Sequence, residues 1–158
     1  MKRSILSVVV AAGLFASAGV AFSGEAEDKA ITARQALMAL QSFALGNLGA
    51  MVKGDVAYDA DVAKAYAADL KAIVAVSQTG MWPEGTAMED DGMKDKTWAK
   101  KDAWTTYPEI NDKHKALVDA TAKMADAAGG GLDALKGAMG DVGGACKACH
   151  KKFRAPKE

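Results

Sequence analysis

Two cysteines and a histidine lie within five positions near the end of the chain, in the sequence CKACH at residues 146–150. No other cysteine occurs among the 158 residues. Thiolate sulfur and imidazole nitrogen are nucleophiles and metal ligands. The spacing of Cys146, Cys149 and His150 therefore admits three chemistries: a disulfide or dithiol redox pair, a zinc site, or covalent attachment of a haem.

The rest of the sequence favours the haem. A thioredoxin-like cysteine pair follows a strand, and no segment here alternates like a strand. A structural zinc site needs four ligands, and the other histidine, His114, lies in the polar sequence NDKHK and is predicted to be a solvated surface residue. Cys-x-x-Cys-His is the attachment motif of c-type haem: the thiols of Cys146 and Cys149 add to two vinyl groups, which brings His150 to the iron.

The N-terminus has the pattern of a secretory signal peptide. MKR gives a positive start, and residues 4–21 form an apolar run that ends in small residues. We expect cleavage after Ala21, or after Ala18 as the alternative, which makes residues 1–21 the signal peptide and residues 22–158 a single domain. The run is short for a membrane span, so a retained anchor is less favoured than export to a bacterial periplasm with no stable membrane insertion.

Composition and periodicity predict an all-α fold. Only 6% of the residues are aromatic, and the 20 basic residues balance the 20 acidic ones, which gives no excess positive charge for nucleic-acid binding. Apolar residues at helical spacing predict helices at residues 27–52, from 59 or 61 to 78, from 108 to the glycines at 129–131, and 132–153. Short connections imply antiparallel neighbours, hence an antiparallel up-down-up-down four-helix bundle with a covalently attached haem.

The connection at residues 79–107 is long enough to have a function of its own. It contains Trp82, Trp98 and Trp104, and aromatic rings of this size are seldom left in water. We expect the connection to fold over one end of the bundle, with an extra helical turn near residues 96–103.

Four glycines interrupt the fourth predicted helix, where each costs up to ~1 kcal/mol relative to alanine. They permit either close packing of helices or close approach of a flat macrocycle, and Gly143 and Gly144 are the best candidates for the second reason. The set is Gly137, Gly140, Gly143 and Gly144.

The sequence resembles the class II c-type cytochromes, and within them the cytochrome c′ family. The motifs that carry the resemblance are CKACHKKFR at the C-terminal end, TARQALM in the first helix, MVKGDVAYDA in the first turn and WPEGT in the long connection. The resemblance covers the whole mature chain. It implies a four-helix bundle with one covalent haem c near one end, often as a homodimer through the first two helices.

On the side of the haem where the attachment motif lies, the resemblance implies a role for each residue. Cys146 and Cys149 form the thioether bonds, and His150 is the proximal axial ligand of the iron. Arg154, four residues after His150 and so on the same helical face, matches a basic residue near that histidine. It would make a proximal ligand pocket cationic.

On the opposite side, Arg34 and Gln35 match residues along the haem edge, where arginine could pair with a propionate. Without the resemblance, Arg34 would be taken for a solvated helix charge. Thr86 matches a further haem contact. Met38 lies one turn after Arg34, at the position that the resemblance places towards the open side of the iron. If its sulfur binds the iron, the haem is six-coordinate and low-spin; if it does not, the haem is five-coordinate and high-spin. The arginine in RQALM favours five-coordination, because low-spin relatives tend to lack it.

These roles give two classes of function. We expect a periplasmic electron carrier that cycles between Fe(III) and Fe(II), with a five-coordinate haem able to bind NO or CO. The alternatives are a non-catalytic module that sequesters nitric oxide and a six-coordinate carrier with Met38 as sixth ligand. No general base, nucleophile or substrate pocket is evident, so no enzyme activity is predicted.

Loss of Lys2 and Arg3 with the signal peptide leaves a mildly acidic chain, which suggests a redox partner with a basic patch.

Overall fold

A computed structural model describes residues 19–156, with side chains for residues 24–156. This part of the chain contains four long helices and one short helix. Most of the predicted signal peptide, residues 1–18, lies outside the described residues. In the part that is described, no helix is both long and apolar enough to cross a membrane. The helices are α1 (Gly19–Lys53), α2 (Ala60–Val74), α3 (Asp102–Thr105), α4 (Tyr107–Ala127) and α5 (Leu132–Phe153).

The four long helices pack in a closed ring. α1 contacts α2, α2 contacts α4, α4 contacts α5, and α5 returns to α1. Only short connections separate α1 from α2 and α4 from α5, and such connections join antiparallel neighbours. The predicted all-α four-helix bundle is confirmed, and α3 is an addition to it within the long connection.

The main hydrophobic core lies mostly before the CKACH segment of α5, and Cys146 packs against its edge. Its largest fully buried side chains include one from each long helix, namely Leu48, Leu70, Met124 and Leu135. Burial of each such side chain stabilises the fold by about 1.5–3 kcal/mol. On α5, the fully buried Leu135 and Val142 both precede Cys146. The last part of α5 is therefore free to line a cavity instead of the core.

The helix boundaries agree with the sequence in three places and differ in two. α5 spans the predicted residues, α4 begins one residue early, and Asp59 is the N-cap of α2, where its side chain accepts hydrogen bonds from two backbone N–H groups. α1 begins well before residue 27, because alanine and glutamate continue the helix beyond its first core residue. α2 ends at Val74, four residues before the predicted end. Gln78 therefore lies outside the helix, where its side chain accepts a 2.8 Å hydrogen bond from the indole of Trp82.

The predicted helical turn near residues 96–103 forms as α3, which begins later in the chain and shares only Asp102 and Ala103 with the predicted range. The cause is tertiary pairing with the C-terminal tail. The backbone N–H of Ala155 donates to the carbonyl of Trp98 at 2.8 Å, and that of Lys100 donates to the carbonyl of Phe153 at 2.9 Å. This pairing ties the long connection to the end of α5, directly beside His150.

The four glycines of α5 do not pack against another helix. A Cβ atom at any of them would meet nothing within 4 Å, and all four are exposed. The close-packing interpretation is therefore wrong. None of the four lines the cavity described below, so the macrocycle interpretation has no support either, and nothing in the described structure explains them. The set is Gly137, Gly140, Gly143 and Gly144.

Candidate haem site

The C-terminal end of α5 opens into a cavity of about 1460 Å³ at one end of the bundle. Residues of α1, α4 and α5 line it, together with the segment after α2 and the long connection. Pockets for drug-sized ligands typically measure ~300–1,000 Å³. The cavity therefore has room for a large planar group such as a haem, and the long connection closes one side of it, as expected from its tryptophans.

Cys146, Cys149 and His150 all line this cavity. The two cysteines are free thiols and lie about one turn apart, so α5 presents both towards the same space. Burial raises the pKa of both thiols, and Cys146 raises that of Cys149 further, against a smaller opposing effect of Lys113. Both are therefore protonated at neutral pH, unlike the thiolates on which rapid dithiol exchange depends.

His150 borders two cavities, the one with the cysteines and a second of about 750 Å³. Burial lowers the pKa of His150, and the positive charge of Arg154 lowers it further. A lowered pKa keeps the imidazole neutral at pH 7, and neutral imidazole is the form that binds a metal. The donor set of two thiols and one neutral imidazole, with adjoining space, fits a covalently attached haem.

Arg34 is buried, with 4% of its surface exposed, so its interpretation as a solvated helix charge is wrong. Its Nη1 donates to the hydroxyl of Thr86 at 2.9 Å and to the carbonyl of Met81 at 3.3 Å. Its Nη2 donates to the carbonyl of Thr86 at 2.7 Å and to the hydroxyl of Thr97 at 3.0 Å. All three acceptor residues belong to the long connection, which Arg34 therefore holds against α1.

These bonds limit what else Arg34 can do. These four bonds use four of the five N–H groups of the guanidinium, which leaves only the N–H on Nε for any further acceptor, so a two-bond pairing with a propionate is not available in this arrangement. The guanidinium also lies 4.8 Å from the ring centre of Trp82 and 5.7 Å from that of Trp104. Burial lowers the pKa of Arg34 to about 10, which leaves it charged at neutral pH.

The other residues predicted on the Arg34 side are placed differently from one another. Gln35 lines the cavity and donates to the carbonyl of Lys96 at 2.8 Å. Thr86 is fully buried and does not line the cavity; it lies behind Arg34 and donates to the carbonyl of Pro83 at 2.8 Å. Thr86 thus contributes to the site through Arg34. Met38 lines the cavity and is 37% exposed.

The sequence did not predict the place of His114. It is half-buried, lines the cavity, and its Nε2 lies 3.3 Å from the carbonyl oxygen of Val74. The prediction of a solvated surface residue is therefore wrong. The signal was present in the spacing, because His114 follows Ile110 by four positions and precedes Leu117 by three, and both of these apolar residues also line the cavity.

Comparison with known proteins gives consistent matches along most of the chain. A family model described as cytochrome C′ matches residues 29–154. A cytochrome c-554 of Cereibacter sphaeroides is 34% identical over 155 residues, which cover 96% of this chain and 97% of that protein. A cytochrome c′ of the same organism is 34% identical over 157 residues, which cover 99% of this chain and all of that protein.

Solved structures show the same likeness. A cytochrome c′ from Rhodobacter sphaeroides superposes with a TM-score of 0.77 at 35% identity, covering 83% of this chain and 98% of that one. A nitric oxide complex of a mutant cytochrome c prime from Alcaligenes xylosoxidans has a TM-score of 0.70 at 32% identity, covering 83% and 97%. A cytochrome c′ with a ligand-controlled dimer dissociation has a TM-score of 0.74 at 28% identity, covering 82% and 97%.

Proposed function

Because this chain belongs to the cytochrome c′ family, we propose that it is a periplasmic electron carrier whose five-coordinate haem is open to NO or CO. Proteins of the family carry a covalently attached haem c, which supplies one-electron chemistry between Fe(III) and Fe(II) when bound. Cys146 and Cys149 would hold this group by two thioether bonds, and His150 would bind the iron. The observation that carries the proposal is the placement of all three on one wall of the large cavity.

The rest of the cavity wall supports a role without catalysis. No serine, threonine or cysteine that lines the cavity donates a hydrogen bond to a histidine or a carboxylate within the described part of the chain. An activated nucleophile requires such a partner. We therefore propose that the protein transfers electrons or binds a gas and carries out no group transfer. The predicted signal peptide supports the periplasmic location.

Five-coordination is supported by the surroundings of Met38. With Ala39 and Leu45, it forms the apolar part of the α1 wall of the cavity, which also includes Gln41 and Ser42. Apolar side chains beside the iron would favour small neutral ligands such as NO and CO, because a charged ligand would lose its hydration there. The nitric oxide complex among the similar structures is consistent with this preference.

The absorption spectrum of the purified ferric protein tests the state of the iron. We expect a high-spin spectrum, and we expect Met38→Ala to leave it nearly unchanged, because no iron–sulfur bond is lost. Met51→Ala, a change of the same size in the core, controls for general loosening of the bundle. A far-red methionine-to-iron band in the wild type, replaced by a new high-spin species in Met38→Ala, would show the six-coordinate alternative.

A homodimer through α1 and α2 is the second part of the proposal. Leu40 and Phe43 on α1 and Val62 on α2 are large apolar side chains left exposed, Phe43 to 63%. The ring of Phe43 lies 6.0 Å from that of Tyr66 on α2, so one apolar face spans both helices. Contiguous exposed apolar patches mark interaction surfaces, and the similar structure with ligand-controlled dimer dissociation supports a second copy as the partner.

Sedimentation of the haem-containing protein tests this face. Phe43→Glu should raise the dimer dissociation constant by at least about tenfold, since buried aromatic anchors dominate interfaces. Ala116→Glu places the same charge on an exposed position of α4 and should leave the dimer intact. Equal dissociation in both variants, or a monomeric wild type at high concentration, would contradict an α1–α2 dimer.

A further inference from the structure

A cationic surface surrounds the smaller cavity next to His150. Four positively charged side chains line this cavity, namely Lys100, Lys147, Lys151 and Arg154. They come from two segments, the long connection and the end of α5, which the backbone pairing of residues 98–100 with 153–155 holds together. We call these four residues the proximal basic surface.

Little negative charge in the described structure balances this surface. Lys100 is 3.5 Å from a carboxylate oxygen of Asp102. Lys147, Lys151 and Arg154 have no ion-pair partner between residues 24 and 156. The whole chain has equal numbers of acidic and basic residues, so the excess of positive charge is local. A field of this kind attracts and orients an anionic partner.

The form of the surface fits a protein better than a small anion. A small-anion site gathers buried donors that need the anion as a partner, but no buried side-chain nitrogen or oxygen of the described residues lacks a hydrogen bond. Lys147, Lys151 and Arg154 are exposed. The same cavity is also lined by the apolar Met88, Ala155 and Pro156. Protein interfaces combine apolar contacts with complementary charges in this way.

We propose that the proximal basic surface is the docking site for an acidic electron-transfer protein. The proposal rests on the proposed electron-carrier function and names the chemistry of its partner. The net charge of the mature chain, which is mildly acidic, suggested a partner with a basic patch. The chain nevertheless presents a basic face next to the iron ligand, and this face would bind an acidic partner. In the docked pair, the reduced partner would give up one electron to the haem held by Cys146, Cys149 and His150, whose iron would change from Fe(III) to Fe(II), and no proton or group would be exchanged.

Stopped-flow reduction of the ferric haem-containing protein by flavodoxin hydroquinone, an acidic flavin carrier, tests the docking site. The variant K100E/K151E reverses two charges and leaves the CKACH motif intact. The control K123E/K136E makes the same change on exposed residues of α4 and α5 at the other end of the bundle. At low ionic strength we expect the second-order rate constant to fall at least about tenfold in K100E/K151E and less than about twofold in the control.

A second reductant separates this proposal from the proposed function. Lumiflavin semiquinone is small and uncharged, so it should reduce the wild type and both variants at similar rates. If it does so and flavodoxin reacts equally with both variants, the docking site is disproved and electron transfer stands. If lumiflavin semiquinone cannot reduce the protein, the electron-carrier function fails and the docking proposal fails with it.

The small-anion alternative has its own measurement. Phosphate is exchanged for chloride at constant ionic strength, and the ferric spectrum and the flavodoxin rate are recorded. We expect neither to change. A spectral shift with phosphate in the wild type that is lost in K100E/K151E would overturn the protein-docking proposal in favour of a small-anion site.

Discussion

The double variant C146S/C149S should carry no haem after denaturation and extraction with acid and acetone, whereas the wild type should stay coloured. The two thiols are the only sulfhydryl groups of the chain, and serine cannot form the thioether bonds. The intact mass of the wild type should exceed that of the processed polypeptide by one haem, and the mass of the variant should equal that of the polypeptide. These differences are all-or-none, which makes the experiment decisive for the whole site.

The same variant should lose fixed packing at one end of the bundle. The haem would fill a cavity of about 1460 Å³, and a group that binds only the native state contributes its binding free energy to folding. We expect far-UV circular dichroism to remain helical while the near-UV signal of Trp82 and Trp104 is lost, the behaviour of a molten globule.

Substitution of the axial ligand is the matched control for attachment. H150A keeps both thiols, so it should retain its colour through extraction while its ferric spectrum changes. If the wild type emerges colourless, or if C146S/C149S retains covalently bound haem, the interpretation of CKACH as the attachment site is wrong.

The elements governed by local sequence were predictable. α5 covers the predicted residues and Asp59 caps α2, because helical periodicity and capping act within a few positions of the chain. The CKACH motif could equally be identified, since Cys146, Cys149 and His150 lie within about one turn of a single helix. The cavity that they line was expected only in outline, because its walls come from segments that are far apart in sequence.

The errors lie where distant segments meet. Pairing with the C-terminal tail displaces the turn predicted near residue 96. His114 lies in the cavity wall, where its ring contacts the carbonyl oxygen of Val74 at the end of α2. The proximal basic surface joins Lys100 to residues about fifty positions later, so the net charge of the chain does not report this local excess of positive charge. In each case a tertiary contact overrides a local preference, and periodicity within one segment does not report it.

Replacement of Arg34 by methionine should lower the free energy of unfolding of the haem-containing protein by about 2–4 kcal/mol. Hydrogen bonds to a charged group contribute about 1.5–3 kcal/mol each, and not additively. Arg34 makes four of them, and the variant leaves the buried hydroxyls of Thr86 and Thr97 without this donor. Methionine preserves much of the length and apolar contact of the side chain, so the loss reports mainly on the polar interactions.

One effect opposes this loss. Burial lowers the pKa of Arg34 to about 10, below its value in the unfolded chain, so ordering the cation inside the protein costs free energy at neutral pH. No carboxylate within the described chain pairs with Arg34 to offset that cost. We expect the four hydrogen bonds and the contacts with Trp82 and Trp104 to outweigh it. R34K, which keeps the charge and loses the fork of donors, should fall between the wild type and R34M.

Guanidinium denaturation of the ferric protein, followed by tryptophan emission and by haem absorbance, distinguishes the role of Arg34 in positioning the long connection from a general effect on stability. In R34M the native emission should shift to the red, because Trp82 and Trp104 lose the side chain against which they pack. The control is Q35A, which removes one exposed hydrogen bond to the same connection and should cost about 1 kcal/mol or less. Equal losses in R34M and Q35A, with unchanged native emission, would show that Arg34 does not anchor the connection.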